Sequence, residues 1–131
     1  MREILFRGKR LDNGELVFGD FRHIFHGEYR THIEDNSNGL NNGVCGLEVD
    51  PSTVGQFTGL TDRNGVKIFE GDIVNYNGEP GYVGFDKENA EFLIFFSKWT
   101  AGFDSIYCDR NAEVIGDIYD NPELLEVNES D

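Results

Sequence analysis

Two turn signals packed into residues 56–74 constrain the fold of this chain more than any other feature of its sequence. The first is Asp-Arg-Asn-Gly at residues 62–65, which lies between two stretches that carry apolar side chains. Asn followed by Gly supplies the positive backbone φ values that a tight hairpin turn requires. The second is Gly-Asp at residues 71–72, which opens a strand carrying Ile73 and Val74. The run therefore predicts a β-hairpin followed directly by a third strand.

The polar and glycine residues of this run are predicted to be structural. The run has neither a nucleophile beside a base nor a set of metal ligands, and the chain contains no GxGxxG or GxxxxGK[ST] phosphate loop. We expect Asp62 to accept hydrogen bonds within its own turn, and we expect the glycines to occupy turn positions where a side chain would clash. The structural set is Gly59, Asp62, Asn64, Gly65, Glu70, Gly71 and Asp72.

Short strand patterns separated by Gly- and Asn-rich turns recur along the chain. Residues 3–7 and 14–21 predict a first hairpin, and residues 22–33 continue it as a meander. Residues 34–43 are almost free of apolar side chains and rich in Asn and Gly, so they predict a mobile loop. We expect residues 1–50 to form this N-terminal hairpin and meander.

The later strand patterns predict a small, highly curved barrel over residues 51–125. After the opening run, a strand and a turn at residues 77–81 lead towards residues 90–96. The near-continuous apolar character of that last stretch favours burial on both faces. Short strands at close spacing are typical of an SH3-like barrel.

Helical structure is expected only as single turns. Pro51 and Pro122 each follow a residue that can cap a helix, which predicts one helical turn at each place. Residues 126–131 are predicted to be an acidic tail. The predicted fold class is therefore mainly β with minor helical turns.

The chain is strongly acidic, with 25 Asp and Glu against 11 Lys and Arg and a net charge of −14. Such a surface repels a phosphate backbone over a Debye length of about 10 Å at moderate salt, which disfavours direct binding to DNA or RNA. The acidic excess either keeps the protein soluble or imitates DNA at the nucleic-acid site of another protein. A basic patch at the N-terminus is the alternative contact for a nucleic acid, and it consists of Arg2, Arg7, Lys9 and Arg10.

No catalytic, cofactor or metal site is predicted. Cys45 and Cys108 lack the CxxC spacing of redox and zinc sites, so we expect both to be reduced. His23, His26 and His32 are residues of a metal-ligand type. His23 and His26 would point to opposite faces of a strand, so sharing a metal ion would require a bend.

Aromatic side chains in the second half of the chain allow one further alternative, base stacking as in an oligonucleotide-binding barrel. Core packing is favoured instead, because Lys98 and Arg110 are the only cations nearby. The aromatic set is Phe92, Phe95, Phe96, Trp99 and Phe103.

Three sequence blocks, in the same order, resemble the YopX-like proteins of bacteriophages and prophages. They contain FRGK near residue 6, TVGQFTGLTDRNG from residue 53 and EVIGDIYDNPELL from residue 113. The resemblance extends from residue 1 to about 125. It implies a phage or prophage origin and a mainly β fold, and it brings no assigned activity and no catalytic residues.

We therefore expect a non-enzymatic accessory protein that binds another protein through its barrel surface or its N-terminal hairpin. Edge strands offer backbone groups for strand addition, which also favours a homo-oligomer. The alternative is an acidic DNA mimic or another modulator of a nucleic-acid enzyme. No stretch approaches the roughly 20 apolar residues of a membrane span, and no signal-peptide pattern opens the chain, so we expect it in the bacterial cytoplasm.

Overall fold

The protein is described by a computed structural model that covers residues 3–25, 29–34, 47–96, 100–102 and 111–125. The chain divides into two compact units, Met1–Phe57 and Thr58–Asp131, called here the N-terminal and C-terminal units. The described residues form eleven antiparallel strands and two single turns of 3-10 helix. The predicted mainly β class is confirmed.

The N-terminal unit is a meander whose sheet continues into the strand that leaves it. Its strands are β1 (Phe6–Lys9), β2 (Leu16–Phe25), β3 (Tyr29–Glu34), β4 (Leu47–Glu48) and the start of β5 (Gly55–Thr61). These strands pair in the order β4-β3-β2-β1-β5. The predicted boundary between residues 21 and 22 is absent, because β2 continues without a break to Phe25.

The core of the N-terminal unit centres on Ile33, Val49 and Phe57, all buried. Gly8 of β1 packs against Val49, and a Cβ at that glycine would lie 3.1 Å from a Val49 methyl group. A 3-10 turn at Pro51–Thr53 follows, and the side chain of its N-cap, Asp50, accepts the backbone N–H of Ser52 at 3.0 Å. A predicted cap therefore begins this turn.

The C-terminal unit contains the rest of β5 and a five-stranded sheet. Its further strands are β6 (Lys67–Phe69), β7 (Asp72–Tyr76), β8 (Glu79–Asp86), β9 (Glu91–Phe95), β10 (Thr100–Gly102) and β11 (Ala112–Asp117), with a second 3-10 turn at Pro122–Leu125. The five strands pair in the order β10-β9-β8-β7-β11. Among the described strands this order is open, and no closed barrel is found.

One apolar cluster forms the core of the C-terminal unit. Its buried members are Ile68, Val74, Val83, Ile94, Phe96 and Ala112. Burial on both faces of residues 90–96 was expected. Only Ile94 and Phe96 are buried, while Phe92, Leu93 and Phe95 are half-buried.

The turn between β7 and β8 is shorter than predicted. It was expected over residues 77–81, but strand structure resumes at Glu79. Asn77 and Gly78 both take positive φ values, 52° and 90°. Two consecutive left-handed residues complete a hairpin turn by themselves, so Pro80 falls within β8.

Several predictions concern residues outside the described part of the chain. They are the mobile loop beyond Glu34, both cysteines, Trp99, Phe103, Lys98, Arg110 and the acidic tail. Among the residues that are described, no helix is long and apolar enough to cross a bilayer.

Candidate functional site

The turn at residues 62–65 is built around the carboxylate of Asp62, which is 3% exposed. Its Oδ1 accepts the backbone N–H groups of Asn64 at 2.8 Å and Val66 at 2.9 Å. The N–H of Asp62 in turn donates to the Val66 carbonyl at 2.8 Å. Gly65 has a φ of 81°, and nothing lies within 4 Å of a Cβ built there. The requirement for glycine is therefore conformational, and the clash expected at this position is absent.

The second oxygen of Asp62 joins this turn to β11, 52 residues further along the chain. Its Oδ2 accepts the backbone N–H of Val114 at 2.9 Å. Next to it, Arg63 donates its backbone N–H to the carbonyl of Ala112 at 3.0 Å. β11 is the last strand of its sheet. The turn therefore provides hydrogen-bond partners for backbone groups of this edge strand, which would otherwise need another strand to pair with them.

Asp72 organises the next turn in a related way. It is 2% exposed, and its Oδ2 accepts the backbone N–H of Phe69 at 2.7 Å. Gly71, at a φ of 94°, donates its N–H to the carbonyl of Val83 at 2.8 Å and accepts the N–H of Ile118 at 3.0 Å. The Gly71-Asp72 pair thus fixes the start of β7 to both β8 and the segment after β11.

The other members of the predicted structural set have different surroundings. Gly59 lies inside β5 with a φ of 91°, although a turn was expected there. Its positive φ therefore belongs to an irregularity within a strand and not to a chain reversal. Asn64 is exposed at the turn, and Glu70 is half-buried just before Gly71.

A third buried aspartate, which the sequence analysis did not single out, has the same role at the end of β11. Asp117 is 7% exposed, and its Oδ1 accepts the N–H groups of Tyr119 at 2.9 Å and Asp120 at 2.8 Å. Asn121 accepts the N–H of Asp117 at 3.2 Å. A Cβ at Gly116 would stand 2.6 Å from the Asn121 Oδ1. The signal for this turn was an Asp followed by Asp-Asn-Pro, since Asx side chains favour turns.

A polar pocket of about 150 Å³ lies where the Asp62 turn meets β7 and β11, lined by Arg63, Asn75, Asn77, Gly78, Asn111 and Glu113. Arg63 Nη2 pairs with Glu113 Oε2 at 2.8 Å. Asn75 Oδ1 accepts the N–H of Gly78 at 2.8 Å. The lining offers both donors and acceptors, and its two charges compensate each other. It is chemically suited to a neutral polar group more than to an ion.

Comparison with known proteins agrees with the resemblance found in the sequence. A family model described as YopX protein matches residues 5–126, which is most of the chain. The chain belongs to the YopX family. No curated protein matches it. Among solved structures, the crystal structure of protein EF1440 from Enterococcus faecalis is similar, with a TM-score of 0.60 and 24% identity over 96% of this chain and 100% of that chain. That likeness concerns the fold alone.

Of the four basic residues near the start of this YopX chain, the three that the structure describes are not exposed. Arg7 is 6% exposed. Arg10 is bound to Asp12 through two hydrogen bonds of 2.8 and 2.6 Å. Lys9 is half-buried, and Arg2 lies outside the described residues. A phosphate backbone would therefore find few of these cations accessible.

The histidines are spread over two strands and a segment outside the described residues. His32 is 8% exposed in β3, whereas His23 lies in β2 opposite Thr31 in the strand register. His26 falls outside the described residues. In the part of the chain that is described, no three His, Cys, Asp or Glu side chains are placed to hold a metal ion.

The aromatic residues considered for base stacking fall into two environments. Phe96 is buried in the core of the C-terminal unit. Phe95 is half-buried and stacks on Tyr82, with ring centroids 5.2 Å apart and an interplanar angle of 18°. Phe92 is half-buried and contacts Phe85 edge to face at 5.3 Å. Two of these rings, Tyr82 and Phe85, were not part of the predicted set, and both are partly accessible to solvent.

Proposed function

We propose that this YopX protein is a non-enzymatic phage or prophage accessory protein that acts in the bacterial cytoplasm by binding another protein. The observation that carries the proposal is a set of exposed large apolar side chains on the C-terminal unit. Val66, Tyr82, Phe85 and Ile115 are between 37% and 48% exposed. Aromatic residues are enriched in protein interfaces, where their area is buried against a partner.

The charge of the chain supports a partner with a basic surface. A net charge of −14 raises the encounter rate with a positively charged protein and lowers it with nucleic acids. Interfaces of this kind combine an apolar centre with complementary charges at the rim. Tyr82, which stacks on Phe95 across the β8–β9 pair, would supply the apolar centre.

We also propose that the C-terminal unit is an SH3-like barrel. The hydrogen bonds from Val114 to Asp62 and from Arg63 to Ala112 support this, because they place the segment after β5 along the outer edge of β11. The remaining edge strands would be open to strand addition or to a second copy of the chain. A crystal structure in which the five-stranded sheet stayed open along its whole length would contradict the barrel.

The alternative function is mimicry of DNA by the acidic surface, with a nucleic-acid enzyme as the target. The net charge of −14 favours it. Under this alternative the partner would be released by competing duplex DNA, since both ligands would use one site. A partner bound through the apolar surface would not be released in this way.

The test is affinity purification of the full chain from a phage-carrying host, with and without nuclease. We expect one enriched protein that is insensitive to nuclease and whose recovery falls at least tenfold in Tyr82→Ala. Leu11→Ala is the matched control, because it removes a large exposed side chain from the N-terminal unit, where Leu11 is 58% exposed. Release of the partner by added duplex DNA would instead support mimicry. Failure to enrich any protein would contradict both functions.

A further inference from the structure

An aromatic pair and an acidic pair share one face of the hairpin formed by β8 and β9. Side chains two residues apart in a strand point to the same side, about 7 Å from each other. The three cross-strand pairs on this face, called here the platform, are Tyr82–Phe95, Gly84–Leu93 and Asp86–Glu91. The opposite face of the hairpin carries Val83 and Ile94, which are buried in the core.

The two rings of the platform lean towards its acidic end. A Cβ at Gly84 would stand 2.7 Å from Phe95 Cε2 and 3.5 Å from Tyr82 Cε2, so the rings extend over the glycine. Tyr82 remains 37% exposed. The missing side chain at Gly84 therefore leaves room for the two stacked rings next to the carboxylates.

The acidic pair lies at the turn end of the hairpin. Asp86 lies directly opposite Glu91, and like charges in this position destabilise a sheet. Asp86 accepts hydrogen bonds from the Glu88 N–H at 3.0 Å and from Asn89 Nδ2 at 2.7 Å. The hydrogen bond from Asn89 lowers the pKa of the Asp86 carboxyl below its ordinary value. Within the described residues, no Lys or Arg forms an ion pair with either carboxylate.

We propose that the platform receives an arginine side chain of the protein partner. The guanidinium and its stem would cover the rings of Tyr82 and Phe95, and the charge would lie against Asp86 and Glu91. Arginine suits this surface because it stacks on aromatic faces and binds carboxylates in a planar, bidentate manner. A cation placed there would also relieve the repulsion between the two carboxylates. The inference rests on the proposed function and names the chemistry of its partner.

The test is an NMR titration of the full chain with the peptide acetyl-Gly-Arg-Gly-Arg-Gly-amide. The neutral control replaces both arginines by citrulline, which has nearly the same shape. We expect saturable shifts at the Tyr82 and Phe95 rings and the Gly84 amide, and at least tenfold weaker binding of the citrulline peptide. Equal binding of the two peptides, or shifts that miss this hairpin, would overturn the proposal.

Two variants of equal net charge separate the platform from diffuse attraction to an acidic surface. Asp86→Asn with Glu91→Gln removes both platform carboxylates, and Glu15→Gln with Glu123→Gln removes two exposed carboxylates elsewhere. We expect the first pair to weaken peptide binding at least fivefold and the second less than twofold. The first variant relieves like-charge repulsion, so we expect it to remain folded.

Equal weakening by both pairs of substitutions would overturn the platform. If the platform variant also leaves capture of an affinity-purified partner unchanged, the proposed function stands and only the platform is wrong. If no partner is captured but the arginine peptide binds selectively, the platform stands as a binding surface and the proposed function loses its support.

Discussion

The turns at residues 11–14 and 62–65 share their local chemistry but differ in what they hold together. In each, an Asx side chain accepts a backbone N–H two residues later, at 2.9 Å for Asn13 and 2.8 Å for Asp62. Each also contains a glycine at positive φ, 72° in the first turn and 81° in the second. Both turns thus satisfy the same short-range requirements.

The difference lies in burial and in the reach of one carboxylate. Asp12 has a side chain that is 65% exposed, and it pairs with Arg10, two residues away. Asp62 is 3% exposed and bonds to Val114, 52 residues away. A turn of ordinary local chemistry therefore becomes a tertiary link when its acid is buried against the backbone of a distant strand.

The largest effect that tests this comparison is expected for Asp62→Ala. Removing the carboxylate leaves three backbone N–H groups without their acceptor, and hydrogen bonds to a charged group contribute about 1.5–3 kcal/mol each, with incomplete additivity. We expect a loss of about 3–5 kcal/mol in the free energy of unfolding, measured by urea denaturation. Asp12→Ala, the matched control at an exposed side chain, should leave the free energy of unfolding almost unchanged. Equal decreases in the free energy of unfolding for the two variants would contradict the difference between the two turns.

A smaller effect that should be the same at both turns is expected from Gly65→Val and Gly14→Val. Neither glycine has an atom within 4 Å of a built Cβ, so only the left-handed backbone opposes the side chain. That conformation costs an L-residue about 1–2 kcal/mol. We expect similar decreases in melting temperature for the two variants and a smaller decrease for Gly65→Asn, since Asn tolerates this region. An unchanged melting temperature for Gly65→Val would refute its assignment to the turn.

The smallest expected effect is a change in the pKa of Asp12, in the exposed turn. The hydrogen bond from Arg10 lowers the pKa of the Asp12 carboxyl below its ordinary value. Because the folded pKa is the lower one, any stability from this pair is present above the unfolded pKa and is lost as pH falls through the folded value. In an NMR titration, Arg10→Ala should raise the pKa of Asp12 towards the ordinary value. An unchanged pKa would mean that the ion pair does not persist in solution.

Turns and helix caps were predictable from the sequence because they depend on neighbouring residues. Asn-Gly at residues 64–65 predicted a turn, Asp50 predicted a cap, and the family resemblance and the mainly β class are both confirmed. The bond from Asp62 to Val114 was not predictable, since no local pattern marks which distant N–H a carboxylate will meet. The turn predicted at Gly59 was wrong for a related reason. A positive φ occurs in irregular strands as well as in turns.

The candidate surfaces depended even more on tertiary placement. The polar pocket combines the Asp62 turn with residues from two strands, and no sequence pattern marks its lining residues for binding. The pairing of Tyr82 with Phe95 depends on which residues of β8 and β9 lie opposite each other. A strand such as β9 carries apolar side chains on both faces, and its sequence does not tell which face a neighbouring layer covers.

Hydrogen exchange of the Val114 amide tests most directly whether the buried turn is a tertiary link. We predict that this amide is strongly protected in the native protein and that its protection factor falls at least tenfold in Asp62→Asn, while other amides of β11 change less. Asn13→Ala in the exposed turn should leave Val114 unaffected. Equal protection of Val114 with and without the Asp62 carboxylate would contradict the account.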